Sequence, residues 1–258
     1  MKNILIIGAN GFTGRRILND LSVNPIYHVT GCSLRDDICP GKDYRFVRTD
    51  IRDENEVRKL FKECRPDIVI NTSALSVPDY CETHHAEAEA TNVTAVETIA
   101  HVCEQYGSRF IHLSTDFVFD GKSIRLYKEE DEAIPVNYYG VTKLKAEKII
   151  ASICSNYAIV RVVVVYGKAL PGQHGNILQL VANRLRNGET IRVVSDQWRT
   201  PTFVGDISVG VEKLMFHTAN GIYHICGSEC LTIAEIAYRV ADFLKLDRSL
   251  IEPVTTEE

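Results

Sequence analysis

The chain contains no run approaching the ~20 apolar residues that a membrane-spanning helix needs. Its apolar N-terminal stretch, Ile4 to Ile7, is too short for the core of a secretory leader and has no small-residue cleavage site after it. Positive charge is not in excess. Lys and Arg number 29 against 34 Asp and Glu, a formal net charge of −5, so nothing electrostatic favours nucleic acid or an anionic membrane as a partner. The eight cysteines (Cys32, Cys39, Cys64, Cys81, Cys103, Cys154, Cys226 and Cys230) include no Cys-x-x-Cys, and no His/Cys group has zinc spacing. They read as reduced core thiols of a cytoplasmic protein, and no metal is expected. Internal repeats and low-complexity linkers are also lacking. A length of 258 residues then suits one large α/β unit, or a main domain with a smaller lobe.

What is present is an alternation of strand and helix patterns, the mark of βαβ units around a parallel sheet. Strands are expected at Asn3–Ile7, His28–Cys32, Tyr44–Val47, Ile68–Ile70, Phe110–Leu113 and Ala158–Val163. Several are continuous apolar runs, as for strands covered on both faces. Helices are expected at Gly14–Leu21, Glu54–Glu63, Ala86–Tyr106 and Tyr139–Ser152, with Asp53 as an N-cap and Glu56 completing a capping box. Beyond residue 165 the texture changes. A loop over 167–175 precedes helix-like Ile177–Asn187, a strand Thr190–Val194, a helix Asp206–His217, a strand Ile222–Cys226 and a helix Thr232–Leu244 boxed by Thr232 and Glu235. The expected fold is a Rossmann-type doubly wound parallel sheet with a small α/β substrate lobe. Residues 1–165 form the dinucleotide domain, with returns near 203–226, and residues 166–202 and 227–258 form the lobe. The chain stops at Val254-Thr255-Thr256-Glu257-Glu258 with no closing element, which raises the expectation of further C-terminal structure.

Gly8, Gly11 and Gly14 are three apart, directly after the first strand and opening a helix. Glycine permits a tight turn and close approach to a pyrophosphate, which the helix N-terminus then favours. A carboxylate at the end of the second strand would select NAD. Here the residues are Gly31-Cys32-Ser33-Leu34-Arg35, and both Ser33 and Arg35 can hydrogen-bond a 2′-phosphate. Arg35 as a solvated loop charge, with Asp36 and Asp37 beside it, is the competing reading.

Tyr139 and Lys143 lie four apart on an expected helix and so share a face. A nearby ammonium would lower the phenol pKa, and a hydroxyl from Thr115 could hold a carbonyl oxygen. Together with a dinucleotide loop, this is equipment for hydride transfer at a carbonyl carbon.

These residues make the chain resemble the extended short-chain dehydrogenase/reductases, and more narrowly the dTDP-4-dehydrorhamnose reductase family. The resemblance runs from residue 1 to about 255. It is carried by Gly8-Ala9-Asn10-Gly11-Phe12-Thr13-Gly14, Asp50-Ile51, Asn71-Thr72-Ser73-Ala74, Leu113 through Gly121, Tyr139 through Lys143, Val160-Arg161 through Tyr166-Gly167, and Asp196-Gln197-Trp198-Arg199-Thr200-Pro201-Thr202. It implies reduction of a 4-keto nucleotide sugar, dTDP-4-dehydro-L-rhamnose in the first place, by NADP(H), with NAD(H) as the alternative cofactor. Cofactor contacts would come from Gly8, Asn10, Gly11, Phe12, Thr13, Gly14, Ser33, Arg35, Asp50, Ile51, Ser73, Ala74, Tyr139 and Lys143. Thr115 would polarise the carbonyl, Tyr139 protonate it, and Lys143 lower the Tyr139 pKa and hold the nicotinamide ribose. Asp116 would assist the acid chemistry beside the substrate, or cap the following loop. Trp198, Arg199 and Thr200 would meet the substrate, Trp198 stacking on a base and Arg199 pairing with a diphosphate. Packing of the lobe is the equal alternative for that pair. Ser73, Leu75, Pro78 and Tyr80 depart from the family pattern near the sugar, and no carboxylate cluster matches the family's metal contact. The same family includes the regulatory subunit of methionine adenosyltransferase, which the stretch Gly31-Cys32 to Arg35 also resembles. Three readings stand: this reductase, an extended reductase or epimerase on another nucleotide sugar, or an NADP-binding partner protein. A homodimer is compatible with each.

Overall fold

The computed structural model describes residues 1–40, 43–173 and 175–257, so residue 174 of the expected 167–175 loop lies outside the described residues. Two compact units divide the chain, Met1–Val162 with Ser208–His224 and Val163–Ile207 with Ile225–Glu258. In chain order the elements are β1 (Lys2–Ile7), α1 (Phe12–Ser22), β2 (Tyr27–Ser33), β3 (Arg45–Arg48), α2 (Glu54–Cys64), β4 (Ile68–Asn71), α3 (Pro78–Thr83), α4 (His85–Glu89), a π turn (Ala90–Thr94), α5 (Ala95–Tyr106), β5 (Arg109–Thr115), α6 (Tyr138–Ile153) and β6 (Tyr157–Val162). There follow β7 (Val165–Tyr166), α7 (Ile177–Arg186), β8 (Ile191–Val194), β9 (Trp198–Arg199), β10 (Thr202–Phe203), α8 (Val204–Met215), β11 (Gly221–Ile225), β12 (Leu231–Thr232), α9 (Ile233–Leu244) and β13 (Ile251–Val254).

The first unit is a Rossmann-type α/β fold. Its seven-stranded sheet runs in the order β11-β6-β5-β4-β1-β2-β3, and the pairs among β1 to β6 are parallel. Chain order reverses between β1 and β4, and ligands of open α/β sheets bind beyond the strand ends at such a point. The apolar strands are buried against helices. Leu5, Ile7, Val69 and Phe110 pack with Leu60 and Phe61 of α2, Val96 and Ile99 of α5, and Ala146 and Ile150 of α6.

Helix α6 carries the tyrosine–lysine pair. Asn137 caps it, accepting from the Gly140 N–H. Its buried face is Tyr139, Thr142, Lys143, Ala146, Glu147 and Ile150, a three-to-four-residue stripe that includes charge. Gly140 is required by contact, since a Cβ there would lie 2.1 Å from the Phe117 carbonyl oxygen.

Several expectations are corrected. Helix Ala86–Tyr106 is broken by the π turn, where Asn92 is turned inward and fully buried. The short helix α3 was not expected. The capping box at Asp53 does not close: Asp53 accepts from Asn55 and Glu56 N–H, but the Glu56 carboxylate takes the Asp50 N–H at 2.7 Å instead. Cys226 and Cys230 are exposed rather than core, although all eight thiols are free. The terminal residues also have a partner, because β13 pairs in parallel with β8.

In the second unit, Val181 and Leu185 of α7 pack on Ala234, Ala237 and Ala241 of α9 and on Ile191, Val193 and Ile251. The box of Thr232 and Glu235 does form there, with both hydrogen bonds present.

Between β5, β6 and α6 lies a buried ion pair. Arg161 binds Glu147 through Nε (3.0 Å) and Nη2 (2.6 Å), and Ser114 donates to the same carboxylate at 2.5 Å. Both charged side chains are nearly inaccessible, at 4% and 3%. Glu147→Ala would leave the guanidinium buried without its counter-ion. Urea unfolding should then show a loss of about 3–5 kcal/mol, and a change below about 1 kcal/mol would show the pair to be dispensable.

Candidate active site

The loop after β1 is built for close approach. Gly8 has φ +83°, and a Cβ there would lie 2.7 Å from the Ser73 amide nitrogen. A Cβ on Gly14 would lie 2.4 Å from the Gly8 oxygen, so α1 can sit this near β1 only with glycine. Gly11 caps α1, and no side chain caps that helix end. The first N–H groups of Phe12, Thr13 and Gly14 therefore point where a pyrophosphate would be favoured. Thr72 fastens the neighbouring strand end, donating to the Ile7 oxygen at 2.9 Å. These residues fit a dinucleotide.

The loop after β2 is held by residues that sequence reasoning cast differently or passed over. The Asn10 amide donates to the backbone oxygens of Arg35 (3.1 Å) and Asp36 (2.8 Å) and accepts from Arg15 Nη2 (2.8 Å). Its side chain is buried and spent on shaping that loop. Arg15, 2% exposed, also binds Asp37 (2.5 Å) and the Tyr44 hydroxyl (2.6 Å). Hydrogen bonds from the Cys39 N–H, Tyr44 and Arg15 hold the Asp37 carboxyl below its ordinary range against the opposing effect of burial. The latch leaves Ser33 half-buried and Arg35 exposed. Asp50 is paired with Arg52 at 2.7 Å, and Ile51 is half-buried.

Thr115, Asp116 and Tyr139 come together at the end of β5. The Thr115 hydroxyl donates to Asp116 Oδ1 at 3.2 Å and accepts from the Phe117 N–H at 3.2 Å, and Thr115 and Asp116 both lie near enough to the Tyr139 phenol to act on its ionisation. Phe117 meets the Tyr139 ring edge-on at 5.9 Å, and Cys81 and Ala88 pack behind it. Ser114 faces away from this group, onto Glu147. Ser73 donates to Asn71 Oδ1 from N–H (3.0 Å) and Oγ (2.6 Å), and Ala74 packs in the Tyr139 cluster.

Lys143 departs from expectation. Its Nζ lies 2.8 Å from His112 Nε2 and donates to the Leu113 oxygen at 2.7 Å. Burial brings its pKa down to about 7, with Glu147 opposing. The Tyr139 phenol is pushed above its ordinary value, first by burial and then by Asp116 and Cys81, and the nearby Thr115 opposes. The expectation that Lys143 lowers the Tyr139 pKa is thus corrected: desolvation dominates, and the lysine faces the imidazole.

Two positioning residues were missed. His112 sits inside an apolar strand run, and its inward direction is set by pairing with Asn71 across the sheet. Asn92 binds the Leu75 N–H (2.8 Å), the Leu75 oxygen (3.0 Å) and Thr142 Oγ1 (3.0 Å), tying the loop after β4 to the turn of Tyr139. π turns are frequent at functional sites, but spacing alone does not reveal one.

Trp198, Arg199 and Thr200 belong to the second unit. Trp198 is 58% exposed and Thr200 is buried, while Arg199 donates to Gln197 Oε1 at 3.1 Å. A cavity of about 620 Å³ in that unit is lined by Tyr166, Leu178, Phe203, Arg239 and Phe243 among others, and by none of these three residues. Among the described residues no group of His, Cys, Asp or Glu could hold a metal ion, and no helix is long and apolar enough to cross a membrane.

The family described as RmlD substrate binding domain matches residues 1–258. The chain is 31% identical over 250 residues to the "Probable low-salt glycan biosynthesis reductase Agl14" of Haloferax volcanii, covering 96% of this chain and 82% of that protein. It is 31% identical over 261 residues to methionine adenosyltransferase 2 subunit beta of Xenopus laevis, covering 99% and 76%. Its fold matches the dTDP-4-dehydrorhamnose reductase of Bacillus anthracis in complex with NADP with a TM-score of 0.85 and 27% identity, over 100% of this chain and 85% of that one.

The latched loop presents Arg35 as an exposed cation with no carboxylate ending β2. NADPH should bind more tightly than NADH, and Arg35→Ala should narrow the gap by about 1–3 kcal/mol, the scale of a charge-assisted contact. Calorimetry with both dinucleotides checks this, and equal affinities in the parent protein would refute it.

Proposed function

Because the chain belongs to the family of the RmlD substrate binding domain, we propose that it is an NADP(H)-dependent reductase of a keto group on a nucleotide-linked sugar. Reduction of dTDP-4-dehydro-L-rhamnose to dTDP-L-rhamnose is the first reaction to assay, and NAD(H) is the alternative cofactor. The observation that carries this reading is the placing of Thr115, at the end of β5, beside the buried Tyr139 phenol, one helical turn from Lys143.

Bound dinucleotide would supply hydride from its reduced nicotinamide. The chain's own residues do the rest. Gly8, Gly11, Gly14 and the amides opening α1 seat the pyrophosphate, and Ser33 and Arg35 meet the 2′-phosphate. Thr115 holds the carbonyl oxygen. Tyr139 gives that oxygen its proton, and burial keeps the phenol in the protonated form that reduction consumes. Before substrate binds, Asp116 accepts the Thr115 hydroxyl proton, which then turns to the carbonyl oxygen. The exposed Trp198 indole offers a face for a base and Arg199 a charge for a diphosphate. A cytoplasmic location belongs to the same reading and rests on eight unpaired thiols.

A second reading has a specific observation behind it. The similarity to methionine adenosyltransferase 2 subunit beta spans 99% of this chain, so the protein could serve as a dinucleotide-binding partner subunit instead. Turnover separates the two. NADPH absorbance should fall when a 4-keto nucleotide sugar is added, and Tyr139→Phe should cut kcat by on the order of 10²-fold or more, the scale of general acid catalysis. Unchanged absorbance across a panel of such sugars, with NADPH bound, favours the partner subunit.

A further inference from the structure

The hydrogen bonds around Lys143 have a direction that can be read from their donors. A backbone N–H can only donate, so the Ser73 amide fixes the Asn71 atom that it meets at 3.0 Å as the carbonyl oxygen. The Ser73 hydroxyl adds a second bond to that oxygen at 2.6 Å. The other end of the Asn71 amide is then its NH₂, 3.2 Å from His112 Nδ1. Two donors cannot face each other there, so Nδ1 accepts. An imidazole that accepts at Nδ1 is not the doubly protonated cation, so His112 is neutral, and its full burial, which lowers its pKa, favours the same form. A neutral imidazole that accepts at Nδ1 carries its proton on Nε2. That proton faces Lys143 Nζ at 2.8 Å. An ammonium has no lone pair with which to accept it, and an amine has one. The amine still has N–H to give the Leu113 oxygen at 2.7 Å.

We propose that His112, oriented by Asn71, donates Nε2–H to Lys143 and holds that side chain as an uncharged amine in the protein without bound dinucleotide. His112 is thus a positioning residue for the Tyr139–Lys143 pair. The pKa of Lys143, brought down to about 7 by burial, agrees with this hydrogen-bond accounting. The titratable groups facing the lysine are His112 from β5 and Glu147 from its own helix, and Glu147 is already committed to Arg161 of β6 and to Ser114. Asp116 and Cys81 act on Tyr139, and both raise its pKa. No positive charge beside the phenol then competes with its retaining a proton. On the proposed reductase reading, the resting pair is set as an acid, the form that reduces a ketone, and phenolate for the reverse reaction would form only after Lys143 takes up a proton.

Lysine labelled with ¹³C at Cε reports each amine's ionisation in a pH titration, with Lys143→Met to assign the signal. Lys143 should titrate near neutrality while the other lysines titrate near ~10.4. His112→Gln offers a carbonyl acceptor in place of the donor, and Asn71→Leu frees the imidazole to move its proton to Nδ1. Each should raise the Lys143 midpoint by about one unit or more, although Asn71 does not touch the lysine. Long-range ¹H–¹⁵N spectra of the unaltered protein should show His112 protonated at Nε2, a readout that stands even if a variant fails to fold. A Lys143 signal that stays charged through about pH 9, a proton on Nδ1, or folded variants with an unmoved midpoint would each overturn the proposal. None of these readouts uses turnover, so their failure leaves the reductase reading intact, and absent turnover leaves this one intact.

Discussion

Keeping a lysine nitrogen inside a protein core, four residues from a tyrosine, is the constraint on which the rest of the site depends. Lys143 is 1% exposed, and a charged group at such a position is costly unless it is paired or neutralised. The surrounding residues answer that cost with polar rows laid across the sheet. Asn71 pairs with His112 between β4 and β5, and Ser114 pairs with Arg161 between β5 and β6. Residues 112 and 114 alternate onto the same sheet face, the face covered by the Lys143–Glu147 stripe of α6. The apolar core of strands and helices therefore encloses a connected polar layer, and its hydrogen bonds rather than its hydrophobic contacts determine which protons sit where.

The second constraint is approach. The strand order reverses between β1 and β4, and glycines at 8 and 14 let α1 and the loop after β4 come within contact of the turn between them. Asn92, from the π turn, joins that same loop to α6. The cradle for a dinucleotide and the Tyr139 turn are therefore mechanically continuous through Leu75 and Thr142. A substitution at Asn92 would disturb the reacting end without touching a ligand.

Much of this was legible in the residues. Apolar runs such as Ile4–Ile7 and Ile68–Ile70 marked the central strands, and the spacing of Gly8, Gly11 and Gly14 marked the turn into α1. Tyr139 and Lys143 fell on a helix, and Thr115 at a strand end beside the tyrosine. What escaped had a common cause. Strands buried on both faces do not alternate in polarity, so nothing in the order Phe110-Ile111-His112-Leu113 reveals which way His112 points. Local patterns also predict local partners. Glu56 has the spacing of a capping box, yet tertiary context sends it to the Asp50 N–H. The Asn10 side chain also binds a loop 25 residues away in sequence, a partner that the glycine spacing around it does not reveal. β13 is four residues long and exists through its pairing with β8, a contact no window near the chain's end could show.

The central proposal is a carbonyl reductase whose proton comes from Tyr139. The most direct measurement uses NADPH deuterated at the transferable position of the nicotinamide, incubated with dTDP-4-dehydro-L-rhamnose and a panel of other keto nucleotide sugars. Mass spectrometry should find one deuterium on the former carbonyl carbon of at least one reduced sugar, and the Tyr139→Phe protein should form that product far more slowly. Tight NADPH binding with no deuterium transferred to any of these sugars would contradict the account.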